Sequence, residues 1–375
     1  MTTVAFSTEQ HELRRTVREF LDKKSPESEV RRLIETPTGF DAAVWQQMAA
    51  QIGLPGIHIP EEFGGAGLGY VEVCIALEEM GGHLFGGPFL ASAVLAAEVV
   101  LRSNDSAAMA DFLPKIATGE TIATVAFPSG DDPSTDTRLT ATSTADGYVV
   151  SGTAGFVLDA LSADVIFVFA RAGELGLFAV NTDAVGVQIT GAPSMDATRK
   201  HATVSFDNAA ARIIRTERGA AQIRSDVANL ACVALANESV GGAQAVLNQS
   251  VNHAKARYQF GRPIGSFQAI KHKCADMLVA LEQAKSVAYH AAATVDENPD
   301  DFGVEAAMAK AYVGDVYARA AAENIQIHGG MGFTWEHPAH LYLKRAKCAQ
   351  SMFGDAVYHR RVLADTLGLS ASAHS

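Results

Sequence analysis

The stretch Arg257-Tyr-Gln-Phe-Gly-Arg-Pro-Ile-Gly-Ser-Phe-Gln268 separates two long helical patterns and decides how the C-terminal half of the chain folds. Gly261, Pro263 and Gly265 break the helical period, so the segment reads as a helix end, a turn and a new helix start. Around that corner stand a permanent cation, an aromatic plate and an amide: Arg257, Phe260 and Gln268. The guanidinium fork grips phosphate oxygens in pairs. With a flat apolar ring and an amide beside it, the corner can hold a large, flat, phosphorylated molecule. The same residues also make an ordinary interhelical loop with a surface arginine, and this stretch alone leaves both readings open.

Outward from the corner, apolar spacing predicts helices over 223–258, 266–295, 302–328 and 337–367, four segments that form an antiparallel bundle. The second carries a dry stripe of Met277, Leu281, Ala284 and Ala288 and a wet face with Lys271, Glu282 and Lys285. Upstream, 119–215 changes period. Short β-branched runs at 121–127, 138–142, 147–151, 164–170, 175–180 and 201–206 are separated by turn residues. No long helix lies between them, which predicts a small barrel or sandwich, not a doubly wound parallel sheet. Residues 1–118 read as helical. Ser7-Thr-Glu-Gln10 has capping-box spacing, followed by Leu13, Val17, Phe20 and Leu21 at helical period. Leu54–Gly69 is an irregular Gly/Pro segment in which Gly65, Gly67 and Gly69 read as turn glycines, because no strand precedes them and Glu61 and Glu62 are close by. A further helix pattern includes Ala76-Leu-Glu-Glu-Met-Gly81. The division is therefore 1–118 helical, 119–215 β and 216–375 helical.

The chain has 375 residues, a net charge of -12 and a hydrophobic fraction of 48%. This length suits two or three domains. The negative charge argues against nucleic acid and against an anionic membrane face. Cys74, Cys232, Cys274 and Cys348 show no paired spacing, so neither a metal site nor a disulfide framework is expected. The N-terminal residues lack a basic segment followed by an apolar run. The run Phe89–Ala97 is shorter than the roughly 20 residues a membrane span needs. A cytoplasmic protein is the expectation, with a frayed tail at 370–375.

Segment order and motifs together resemble the acyl-CoA dehydrogenase family. The motifs are Gly53-Leu-Pro-Gly-Ile with Pro60-Glu-Glu-Phe-Gly-Gly65 and Glu78-Glu-Met-Gly81; Arg257–Ile264 with Gln268; and Gln326-Ile-His-Gly-Gly-Met-Gly-Phe333. Within the family the chain resembles the actinobacterial-type subgroup that includes subunits of heteromeric sterol-degrading enzymes. The resemblance implies a helical domain, a β domain and a C-terminal helical domain, FAD as cofactor, and a dimer of dimers. It implies α,β-dehydrogenation of an acyl-CoA thioester, with electrons leaving to an electron-transfer flavoprotein or similar acceptor. A carboxylate takes the α proton while hydride leaves the β carbon for the flavin. It assigns FAD contacts to Arg257, Phe260, Gln268, Gln326, Gly329 and Gly330, the Arg and Phe reaching a neighbouring subunit's flavin. Glycines there let backbone N–H groups approach closely.

Departures from the family pattern concern the chemistry. The usual base positions line up with Gly354 and Ala231, and neither is a carboxylate. Asp355 is one residue late, about 100° around a helix. Glu238 lies two turns beyond Ala231 and on roughly the same face, among small apolar residues that would raise its pKa. Glu238 and Asp355 are thus the candidate bases, beside the possibility that this chain carries none. Flavin-ring segments are changed to Pro128-Ser-Gly130 and Phe156-Val-Leu158, in which Phe156 can still cover a ring. An Asp-x-x-Arg segment appears as Asn229-Leu-Ala-Cys232. Features facing a chain's own flavin are degraded, whereas those offered to a neighbour's are intact. The pattern fits one half of a heteromeric enzyme; the alternatives are a non-catalytic FAD-supporting subunit or a flavin monooxygenase-like relative on the same fold. Gly81, Gly82, Gly86, Gly87 and Ala91 point either to room for a bulky acyl group or to tight packing.

Overall fold

The computed structural model describes residues 6–127, 137–145 and 147–369, in which helices precede and follow a β region. Its residues form two compact units. One comprises Glu29–Val73 and Gly86–Ala231; the other comprises Met1–Ser28, Cys74–Phe85 and Cys232–Ser375.

The first unit holds most of α2 (Glu27–Ile34), α3 (Ala42–Ile52), α5 (Ala97–Ser103), α6 (Ser106–Ala117) and seven strands. These are β1 (Ala123–Ala126), β2 (Thr140–Thr144), β3 (Gly147–Leu158), β4 (Val165–Ala172), β5 (Glu174–Asn181), β6 (Val187–Ala192) and β7 (His201–Ile214). Pairing runs β4–β5–β7–β3–β2 and returns from β2 to β4, so the sheet closes into a small barrel. Val150, Ile166, Val168, Phe178, Val204 and Phe206 fill it. Strand β6 pairs with the edge of β7 and is not among the predicted strands. The apolar run from Phe89 is fully buried and opens as a π-helical segment, Phe89–Ala96, before α5. The Gly/Pro segment folds back on itself. The amides of Ala66, Gly67 and Leu68 donate to the carbonyls of Gly56, Ile59 and Ile57. Those amides are therefore spent within the turn, and a Cβ at Gly65 would stand 1.9 Å from the Ile59 carbonyl oxygen. The glycines serve the turn, as their context predicts.

The second unit holds α1 (Thr8–Lys24), most of α4 (Tyr70–Gly82), most of α7 (Ala220–Ala256), α8 (Gln268–Glu297), α9 (Gly303–His328), α10 (Ala339–Ser351) and α11 (Ala356–Thr366). The capping box forms: Gln10 N–H donates to Ser7 Oγ and Ser7 N–H to Gln10 Oε1. Helix α1 is fastened by charge: Arg14 pairs with Glu78 at 2.7 Å, Arg18 with Glu79, and Tyr289 Oη of α8 donates to Glu78 at 2.9 Å. Where α4 crosses α7, only glycine fits. A Cβ at Gly81 would lie 2.0 Å from the Glu238 carbonyl oxygen, and one at Gly241 would lie 1.7 Å from that of Glu78.

Of the small residues, Gly81 and Gly86 are required by tight packing, whereas a Cβ at Gly82 would make only an ordinary contact with the Gly241 carbonyl oxygen, at 3.6 Å. Gly81 meets backbone in this unit; in the other unit Gly86 meets the Gly39 and Thr198 carbonyls and Ala91 is buried. The predicted last helix, 337–367, is two helices. Phe353 (φ 55°) and Gly354 (φ 94°) adopt left-handed backbone, and Asp355 caps a new helix by accepting from Tyr358 N–H. Helix α7 is long and apolar enough to cross a membrane by composition, but 89% of its apolar window is buried.

Candidate cofactor surface and the base position

Helix α7 ends at Ala256, and the next residues form a hairpin absent from the predicted elements. Tyr258 and Gln259 pair with Pro263 and Arg262 as β8 (Tyr258–Gln259) and β9 (Arg262–Pro263). The two turn residues are Phe260 (φ 51°) and Gly261 (φ 77°), both left-handed. A two-residue turn of this hand fits the twist of the strands and favours Asn-Gly or Gly-Gly. A bulky Phe in its first position is strained by about 1–3 kcal/mol. That ring is 91% exposed, with an edge contact to Phe267 at 6.1 Å, and Arg262 stacks on the Phe267 ring at 4.1 Å. The strain holds an aromatic out in solvent, where it does nothing for this chain's own core. Arg257 is exposed, and among the described residues its guanidinium has no hydrogen bond or ion pair. Gln268, also exposed, is the first residue of α8.

The Gln326–Gly330 segment ends α9. Gln326 is exposed. Gly329 has φ 63° and ψ -143°, a region essentially limited to glycine. A Cβ on Gly329 or Gly330 would meet nothing within 4 Å. Packing inside the chain therefore does not require the bare backbone at Gly330, which is open to a group from outside. Exposed Met331, Phe333 and Trp335 follow.

The two segments are joined by rings. His253, one turn before Arg257, lies 4.2 Å from His328, and His328 lies 4.4 Å from His337. Burial lowers the pKa of His253, and His328, Arg257 and His337 add to the effect, so its ring is neutral at neutral pH. Sequence reasoning missed this stack. The spacing of His253 to Arg257 was the local signal; the contact with His328 is not local. A free guanidinium, an outward aromatic and open glycine backbone fit an anionic, planar, phosphate-bearing group such as FAD.

Phe156 belongs to the other unit. It sits at a register shift in β3, with φ 55° and 70% exposure, edge-on to His201 at 6.4 Å. Leu158 is buried. Pro128-Ser-Gly130 lies outside the described residues.

The candidate bases are elsewhere engaged. Glu238 is buried and paired with the buried Arg345, whose other nitrogen donates to the Phe85 carbonyl at 3.2 Å. The apolar setting read from sequence is thus filled by a cation from 107 residues away. The carboxylate is thus engaged as one half of a buried ion pair. Asp355 is exposed and accepts the Tyr358 N–H at 2.8 Å as a helix cap. Ala231 is fully buried. At Gly354, φ is 94° and a Cβ would approach Tyr358 Cδ1 to 2.5 Å and His359 Nε2 to 3.0 Å. Behind this turn, the buried Lys310 donates to the Gly354 and Gln350 carbonyls, and Cys232 Sγ lies 3.7 Å from the Phe353 carbonyl. Burial pushes the Cys232 thiol up to about 12, so it is protonated and inert.

Comparison with known proteins gives the family. The patterns described as "Acyl-CoA dehydrogenase, N-terminal domain" and "Acyl-CoA dehydrogenase, C-terminal domain" match residues 7–120 and 217–368. The chain is 33% identical over 338 residues to acyl-CoA dehydrogenase IpdE2 of Mycobacterium tuberculosis, covering 90% of this chain and 91% of that protein. A solved variant of the Tcur3481-Tcur3483 steroid ACAD superposes with a TM-score of 0.87 at 27% identity, over 97% of this chain and 98% of that one. The ChsE4-ChsE5 complex from Mycobacterium tuberculosis does so with a TM-score of 0.88 at 25% identity, over 98% and 99%. With these matches over nearly its whole length, the chain belongs to the acyl-CoA dehydrogenase family, oxidoreductases that act on the CH–CH bonds of acyl-CoA thioesters.

Proposed function

We propose that this chain is the cofactor-completing subunit of a heteromeric, FAD-dependent acyl-CoA dehydrogenase whose proton-abstracting carboxylate stands on a partner chain. One observation carries the reading. The position lined up with the family's base is a buried glycine in left-handed backbone against Tyr358, while the Arg257 and Gly329–Gly330 segments keep exposed groups with no role in this chain's core.

In this reading the chain's work is binding and alignment. Arg257 neutralises part of a pyrophosphate through paired, charge-assisted hydrogen bonds. Phe260 covers a flat face of the cofactor. Open backbone at Gly329 and Gly330 supplies donors without side-chain obstruction, and Gln268 and Gln326 add amide contacts. Phe156, on the other unit, is the remaining aromatic for a flavin face. FAD, when bound, supplies the hydride-accepting chemistry. Neither Glu238 nor Asp355 takes the proton. The acyl group is a fatty or sterol-derived one, a direction supported by the steroid named for one similar structure. Electron-transfer flavoprotein or a similar carrier takes the electrons, the assembly is a dimer of dimers with a homologous partner, and the setting is cytoplasmic.

The test is the visible spectrum of the chain co-purified with the product of its genomic neighbour, recorded before and after a panel of acyl-CoA esters. Bleaching by the complex and none by the chain alone is expected. Bleaching by the chain alone would overturn the reading.

A further inference from the structure

The turn Met352–Asp355 lies where α10 ends and α11 begins, and three buried polar groups converge on it. Lys310, on α9, is 3% exposed, and among the described residues its hydrogen bonds go to carbonyls and not to a carboxylate. Its ammonium donates to the carbonyls of Gly354 at 2.8 Å and Gln350 at 3.0 Å. His359, also 3% exposed, lies on α11 with Nε2 2.9 Å from the Phe353 carbonyl, so that nitrogen carries the proton and donates. Cys232 Sγ stands 3.7 Å from both that carbonyl and His359 Nε2. Two consecutive carbonyls are therefore fixed by two side chains from two helices.

A buried lysine without a paired carboxylate is costly, and such groups persist where they satisfy something that would otherwise cost more. Here Lys310 satisfies the carbonyls of Gly354 and Gln350, and His359 satisfies that of Phe353, at a turn where Phe353 and Gly354 are both left-handed. The turn is held from the other side as well. Asp355 caps α11, and Tyr358 closes over Gly354 so tightly that a Cβ would meet its ring at 2.5 Å. A side chain at residue 354 thus faces three independent obstacles: the sign of φ, the Tyr358 ring and the His359 imidazole.

We infer that Lys310 and His359 are positioning residues that hold the Met352–Asp355 turn in a base-excluding conformation, so that a carboxylate added at residue 354 does not restore a proton acceptor. The inference deepens the proposed function and rests on it only for the word base; the clamp itself is a property of this chain. It makes the loss of the carboxylate more than a missing atom group. A carboxylate side chain at residue 354 therefore requires the clamp to be released as well.

The experiment uses the full chain, alone and in its complex, with Gly354→Ala, Gly354→Glu and Lys310→Met. Gly354→Ala is expected to lower the melting midpoint by roughly 2–5 °C, from the left-handed backbone and the contact with Tyr358. Gly354→Glu is expected to lower it at least as far and, in the FAD-loaded complex, to give no gain in acyl-CoA-dependent dye reduction over the wild type. Lys310→Met is expected to speed hydrogen exchange at the Tyr358 and His359 amides about tenfold or more relative to amides of α1, as freed carbonyls let the α11 start open. Wild-type stability in both Gly354 variants, or turnover gained by Gly354→Glu, overturns the inference. If Lys310→Met gives no folded chain, His359→Leu, which removes the contact to the Phe353 carbonyl, is read by the same exchange ratio, and unchanged exchange overturns the inference. Turnover by the unmodified chain would sink the proposed function while leaving the melting and exchange results to judge the clamp.

Discussion

Replacing Glu238 by Gln separates a structural carboxylate from a catalytic one. Glu238 and Arg345 are both nearly inaccessible, and Arg345 also donates to the Phe85 carbonyl. The substitution preserves shape and removes the charge. It leaves the buried guanidinium without the Glu238 carboxylate, a loss of about 3–5 kcal/mol when one half of a buried pair is removed. At about 2.1 cal/mol/K per residue, unfolding a chain of 375 residues carries an entropy near 0.8 kcal/mol/K, so about 4 kcal/mol corresponds to roughly 5 °C in melting midpoint. The assay pairs a thermal melt with acyl-CoA turnover of the assembled complex, normalised to folded protein. A midpoint lower by about 5 °C with turnover unchanged is expected. The double variant Glu238→Leu with Arg345→Met should recover much of the loss, because an apolar pair removes both desolvation costs. An unchanged midpoint with turnover abolished would refute the reasoning and return Glu238 to the role of base.

Asp355→Ala should cost about 1 kcal/mol through the lost cap of α11, measured by denaturant titration, with turnover of the complex unchanged. Arg257→Ala should reduce FAD retention by the assembled oligomer about 10-fold or more, the worth of one or two charge-assisted hydrogen bonds, read as flavin absorbance per chain after gel filtration. Phe260→Gly should act in opposite directions on two readouts: stability of the isolated chain rises by about 1 kcal/mol as the strained turn relaxes, and FAD retention by the oligomer falls. Burial lowers the His359 pKa from 6.5 to about 4, with the Lys310 charge adding to the effect. The folded state therefore excludes a proton that the unfolded chain accepts. This contribution is fully present above pH 6.5 and is lost as pH falls from 6.5 toward 4, to a total of about 3 kcal/mol. Denaturant titrations at stepped pH should show that slope in the wild type and a shallower one in His359→Leu.

Much of the architecture was legible because its signals are local. The change from helical to alternating period near residue 120 and back near 216 marks β1 to β7 between α6 and α7. Ser7 and Gln10 announce α1 through capping chemistry, and the breaks at Gly261, Pro263 and Gly265 announce the corner after α7. Features that were not legible depend on distance or on rare backbone. A two-residue hairpin turn signals itself through Asn-Gly, and Phe260-Gly261 gives no such signal. Strand β6, with Gln188 and Thr190 outward on an edge, lacks the buried apolar run that marks its neighbours. The break between α10 and α11 did have a signal, Gly354 followed by the helix-capping Asp355, but the apolar period runs through it. Glu238 reads as a carboxylate among small apolar residues until the fold brings Arg345 to it, and the contact of His253 with His328 depends on α9, 75 residues further along the chain.

The most direct measurement is the number of FAD molecules per chain in the chain purified alone and in its complex with the neighbouring gene product. Little retained FAD is expected in the isolated chain, and stable, substoichiometric FAD per chain in the complex, lost when Arg257 is replaced by Ala. One tightly held FAD in every isolated chain, with full acyl-CoA turnover, would contradict the proposed function.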